Sequence, residues 1–115
     1  MTQPAVPYPG RPVRGSSTGR PVMALFDLLG RAWAMGVVWQ LHEGRCTFRD
    51  LQARCDGVSP SLLNQRLKEL RATGLVEHDG AGYALTPLGD ELFERLDDLG
   101  TWSKRWATEL TGEAF

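Results

Sequence analysis

Histidine and cysteine are scarce in this chain of 115 residues, which has two of each. Neither His42 nor His78 has Cys, Asp or Glu at metal-ligand spacing, and Cys46 and Cys55 form no CxxC pair. A glycine-rich phosphate loop and a nucleophile elbow are both missing. These gaps argue against a metal centre, phosphoryl transfer and acyl transfer, so no enzymatic activity, no metal and no cofactor is expected. The two thiols read as reduced and partly buried, as in a cytoplasmic protein. The N-terminal stretch also lacks a continuous apolar run: residues 1–20 hold four of the seven prolines, several glycines and serines, and no apolar periodicity. That composition predicts a disordered basic Pro/Gly-rich tail rather than a signal peptide, in a cytoplasmic protein with no membrane partner. Arg11, Arg14 and Arg20 make the tail positive, which suits either solubility or an arm on DNA phosphates.

A surplus of either charge is lacking too, the formal net charge being −1. The distribution is uneven, however. Ten basic residues stand against six acidic ones through His78, and three against eight from Asp79 to Phe115. That split separates a part able to face nucleic acid from an acidic scaffold. A chain this short forms one small domain with a modest core, to which dimerisation would add stability.

What is present centres on the stretch from Val58 to Val76. Ser59 is a good N-cap and Pro60 suits the first helical position, where its missing N–H costs nothing. Leu63, Leu67 and Leu70, with Leu62 beside them, make one apolar stripe, while Ser61, Asn64, Gln65 and Lys68 fall on the opposite face and Arg66 and Arg71 at its flanks. Gly74 ends the helix. Upstream, Thr47 is a candidate cap for a helix from Phe48 to Arg54, and only Cys55-Asp56-Gly57-Val58 separates the two. Two short helices joined by a tight Gly-containing turn, the second bearing amides and bases outward, make a helix-turn-helix pattern. Downstream, Leu75–His78 and Tyr83–Thr86 flank Asp79-Gly80-Ala81-Gly82, a hairpin signal and hence a wing.

Pro21 opens a first helix in which Val22, Leu25, Phe26 and Leu29 define one buried face, ending near Gly30. From Arg31 to His42 a second helix is apolar nearly all round: Trp33, Val37 and Leu41 on one side, Ala32, Met35 and Trp39 on the other. Two buried sides follow, with a partner subunit, the last helix or a ligand meeting the second; Trp33, Met35 and Trp39 are the candidate lining of an effector pocket. After Thr86-Pro87 a long helix runs toward Leu110 with Leu88, Leu92, Leu96, Leu99, Trp102 and Trp106 in register and Gly100 as a candidate bend. Its length exceeds what one small domain covers, so Trp102 and Trp106 are expected at a second subunit.

The segments Phe48–Leu51, Val58–Val76 and Tyr83–Gly89 resemble those of the HxlR family of bacterial winged helix-turn-helix regulators, over roughly residues 22–106. The resemblance implies a mainly α fold with a small antiparallel β-hairpin (α+β), and a homodimer with the N- and C-terminal helices at the interface. It implies the helix from Pro60 in the major groove and the hairpin tip near the minor groove. Two departures stand out: some members carry a sensing cysteine just before the first helix, where this chain has Thr18-Gly19-Arg20-Pro21, and the short wing tip has no basic residue. The expected layout is a tail over 1–20 and a winged domain over 21–111. The expected function is sequence-specific binding of double-stranded DNA, with Ser61, Asn64 and Gln65 facing bases and Arg49, Arg66 and Lys68 on phosphates. Ser59 would cap the helix and offer its N-terminus to a phosphate. A small aromatic or apolar effector fits the same picture. The alternative is a winged-helix module that binds protein or a small ligand and no DNA.

Overall fold

Five helices and one hairpin follow in order: α1 (Pro21–Leu29), α2 (Ala34–Leu41), α3 (Phe48–Arg54), α4 (Pro60–Ala72), β1 (Val76–Asp79), β2 (Gly82–Leu85) and α5 (Pro87–Thr111). The structure, a computed structural model, describes residues 6–115. Three helices begin where a hydroxyl accepts an otherwise unpaired N–H: Thr47 from Asp50 (3.2 Å), Ser59 from Leu62 (3.2 Å) and Thr86 from Gly89 (3.0 Å). Gly74, at φ 78°, takes the left-handed position that turns the chain out of α4.

The leucine stripe of α4 is the centre of the core. Leu63, Leu67 and Leu70 are fully buried against Val37, Val38 and Leu41 of α2, Leu51 of α3 and Phe93 of α5. β1 and β2 pair antiparallel from Val76↔Leu85 to Asp79↔Gly82, and Cys46 joins them through a two-way backbone bridge to Tyr83 (3.0 and 2.8 Å). That bridge leaves no room for a side chain at residue 82: a Cβ on Gly82 would stand 2.2 Å from the Cys46 carbonyl oxygen. The fold is therefore mainly α with one hairpin, α+β, in winged helix-turn-helix order.

Three expectations meet a different arrangement. In α1 the buried residues are Ala24, Asp27, Leu28 and Leu29, whereas Val22 and Phe26 are exposed. The inward face thus keeps Leu29 of the apolar stripe read from periodicity but is rotated away from Val22 and Phe26, toward a carboxylate, Asp27, that is turned inward and offset by arginines. The helix expected from Arg31 begins only at Ala34, since Trp33 adopts φ 70° and breaks it. Residues 6–20, where disorder was expected, form a looped segment. Val13 and Ser16 bridge each other, the Gly10 N–H donates to the Gly19 carbonyl (2.9 Å), and Arg14 is bonded to Asp27. The part of the tail expectation that concerns residues 1–5 lies outside the described residues. Among the described residues no single helix is long and apolar enough to cross a membrane. α1 and α2 are apolar enough only as a pair, bent by 87°.

Candidate nucleic-acid interface

With its leucines turned inward, α4 presents Ser61, Asn64, Lys68 and Arg71 to solvent. Ser59 and Arg49 are also exposed, at the starts of α4 and α3. Gln65 is half-buried: its amide nitrogen donates to Glu69 Oε2 at 3.3 Å. Arg66 sits differently from the expectation of a phosphate anchor. Its Nε donates to the Ala32 carbonyl (2.8 Å) and its Nη1 to Glu69 Oε1 (3.2 Å), with only 14% of the side chain exposed. It fastens α4 to the α1–α2 turn.

Arg66 belongs to a chain of charges that sequence patterning did not reveal. The carboxylate of Asp27 accepts from the Arg14 backbone N–H (3.1 Å) and from Arg14 Nε (2.7 Å), and lies 3.5 Å from Arg31 Nε. Arg31 in turn donates to Glu69 Oε2 at 2.5 Å. Burial alone would push the Asp27 carboxyl up, but the Arg14 hydrogen bonds and the charges of Arg31 and Arg14 outweigh it and leave the group below its ordinary value. A cleft of about 570 Å³ opens over this chain, lined by Arg14, Arg31, Ser61, Gln65, Arg66 and Glu69 among others.

The wing carries a basic neighbour from elsewhere in the sequence. Arg45 donates to the Gly82 carbonyl (3.1 Å) and pairs with Asp79 (3.1 Å) and Glu77 (3.3 Å), so one of the hairpin's two acidic charges is offset beside its tip. The pairings of Arg14 with Asp27, Arg31 with Glu69 and Arg45 with Glu77 could not be read from the sequence, because these partners lie 13 to 38 residues apart.

The five residues proposed as a dimer or effector surface divide into groups. Trp39 meets Phe93 edge-on (5.0 Å between rings) and passes Gly100, where a Cβ would come within 3.3 Å of it. Gly100 thus makes room for Trp39. Trp102 stacks on Trp106 at 6.4 Å, both about half exposed, and Trp33, just before α2, and Met35 on it are exposed. None of the five lines the apolar cleft of about 470 Å³ that lies instead between Pro7 and Pro9, α1, Leu75 and the start of α5. Both cysteines are buried. Burial raises the Cys46 thiol, with Arg54 opposing and Asp50 adding, and raises Cys55, with Asp56 and Cys46 adding.

The HxlR-like helix-turn-helix family model matches residues 28–111, which takes in the capped α4, the wing and all of α5. The chain belongs to the HxlR-like family. Among relatives, an HTH-type transcriptional regulator of Methanocaldococcus jannaschii, itself uncharacterized, is 31% identical over 88 residues, covering 73% of this chain and 83% of that one. Among solved structures, quinone-bound YodB from Bacillus subtilis superposes with a TM-score of 0.70 at 27% identity, covering 73% of this chain and 96% of YodB. A Thermoplasma volcanium chain described as a possible HxlR family transcriptional factor gives 0.67 at 29% identity, over 76% and 84%. HxlR-like membership makes this a helix-turn-helix protein of a transcription-regulator family.

Proposed function

We propose that the protein is a sequence-specific regulator that binds double-stranded DNA as a homodimer, with α4 in the major groove. The observation that carries this is the division of α4: a fully buried leucine stripe on one side and, on the other, exposed Ser61, Asn64 and Lys68. Amide and hydroxyl groups there suit base edges, and Lys68 and Arg49 suit phosphates. Gln65 donates its amide nitrogen to Glu69, and its carbonyl is the group that would accept from an adenine or cytosine amino group. Ser59 caps the helix whose N-terminus favours a phosphate. Arg66 acts indirectly, by holding the helix. The hairpin, with Arg45 offsetting one of its two acidic charges, lies on the backbone beside the minor groove.

Support for the dimer comes from α5, whose Leu99, Trp102, Trp106 and Leu110 are more than half exposed. Such a run is more apolar surface than a monomer ordinarily leaves open. A small aromatic or apolar effector completes the reading. YodB is described as quinone-bound, and in this chain the cleft beneath Pro7 and Pro9 is the concave apolar surface that suits such a molecule.

Fluorescence anisotropy with a random duplex at stepped salt tests the reading. Association at roughly 10⁻⁴ to 10⁻⁶ M that weakens steeply with salt is expected. No salt-dependent association would favour a protein- or ligand-binding winged helix instead.

A further inference from the structure

The looped segment before α1 borders the proposed reading helix α4 across a cleft, and Arg14 alone of its arginines is placed there. Arg14 lines the cleft shared with Ser61, Gln65 and Arg66, while Arg11 lies over the Tyr8 ring (4.9 Å) and Arg20 stands at the start of α1. The placement of Arg14 comes from Asp27. That carboxylate, 2% exposed, holds both the backbone N–H and the Nε of Arg14, while the Arg14 side chain stays 66% exposed. Nε is used inward on Asp27, and among the described residues Nη1 and Nη2 take no partner.

An α-helix with its side chains is about 10–12 Å across, and the major groove is about 12 Å wide, so a helix in it has sugar-phosphate backbone along both flanks. On α4, the flank bearing Ser61 and Gln65 borders this cleft. Three guanidiniums there, of Arg14, Arg31 and Arg66, face two carboxylates, of Asp27 and Glu69, leaving a positive excess. Arg31 and Arg66 are turned inward on Glu69. The excess is therefore displayed by Arg14.

We propose that Arg14 is a DNA-phosphate contact: Asp27 holds it at the Ser61–Gln65 flank of α4, where it neutralises a phosphodiester of the backbone bordering the groove. Because the ion pair already orders the side chain, little rotamer freedom is lost on binding. The inference rests on the DNA-binding reading above and adds to it a contact outside the helix-turn-helix. Each neutralised phosphate contributes about −0.9 to the slope of log affinity against log salt.

The test uses the full chain and a random 24-base-pair duplex, with anisotropy titrations from 50 to 200 mM salt on wild type, R14Q, R14K and R11Q. R14Q should lower the magnitude of the slope by about 0.9, so that over this range its binding weakens about 3.5-fold less than that of wild type. R14K should keep most of the wild-type slope, and R11Q all of it. If wild type binds with salt dependence and R14Q has the same slope, even with a lower melting temperature, Arg14 only fastens the segment and the inference is wrong. Equal loss in R14Q and R11Q would mean diffuse charge rather than a placed contact, and would also overturn it. Absence of any salt-dependent binding by wild type would sink the DNA reading itself, and this contact with it.

Discussion

Arg66 and Lys68 differ by two positions on one helix, yet their surroundings assign them opposite roles. Lys68 is exposed, while Arg66 donates to Ala32 and Glu69. Lys68→Ala should lower the magnitude of the salt slope by about 0.9 and leave stability nearly unchanged. Arg66→Ala should keep the slope and destabilise the fold by about 1–3 kcal/mol, since it strands a share of the buried Glu69 charge. Salt titrations alongside urea melts separate the two; a normal slope in both variants would remove Lys68 from the phosphate set. Asp27 offers a pH signature. Its folded value lies below its unfolded one, so the stability it adds is present above the unfolded value and is lost as pH falls through the folded one. Asp27→Asn should therefore be less stable than wild type at neutral pH, with a gap that narrows as pH falls below about 4. A gap that stays constant from pH 7 to 3 would contradict this. The cysteines are poor thiolates, raised by burial. Changing both to Ser should cost stability but leave intact any release of DNA by peroxide or electrophile; loss of that release in the double mutant would make them the sensor.

At the scale of elements, the fold joins α4 to the hairpin and the last helix at one crowded point. Thr86 donates its hydroxyl to the Gly74 carbonyl (2.6 Å) and its backbone N–H to the Leu75 carbonyl (3.1 Å). Gly89 then passes so close that a Cβ would stand 2.1 Å from the Leu75 oxygen. The first turn of α5 is thereby pressed onto the exit of α4. Gly89→Ala must push the two apart, with an expected cost of about 1–3 kcal/mol from overpacking, although alanine is the better helix former. Chemical denaturation measures it, and a variant as stable as wild type would show that this junction is loose.

For the whole molecule, the open question is what covers the exposed side of α1 and the far half of α5. Val22, Phe26, Leu99, Trp102, Trp106 and Leu110 are all at least 48% exposed. The proposed two-fold dimer would bury them and set two α4 helices about 34 Å apart, or a small multiple, to match one turn of DNA. Sedimentation at tens of micromolar protein should give twice the chain mass of 12.7 kDa, and Trp102→Glu with Trp106→Glu should give the single chain. A wild-type monomer at that concentration would remove the dimer and the palindromic operator with it.

Short-range chemistry was legible in the residues alone. Ser59, Thr47 and Thr86 cap helices because the N–H each accepts lies three residues ahead, and the leucines of α4 are buried because their spacing matches one helical face. The hairpin followed from Asp79-Gly80, and the family from these segments together. The buried face of α1, the break at Trp33 and the inward turn of Arg66 were decided only in three dimensions. Hydrophobic periodicity assigns a carboxylate to solvent; Arg31 stands at i+4 from Asp27, but nothing in the sequence shows that Arg14, 13 positions away, will join it in offsetting the burial of that carboxylate. Ion pairs form between whichever groups the packed core brings together, as with Arg31 and Glu69 across 38 positions, so their partners become defined only once the core has closed.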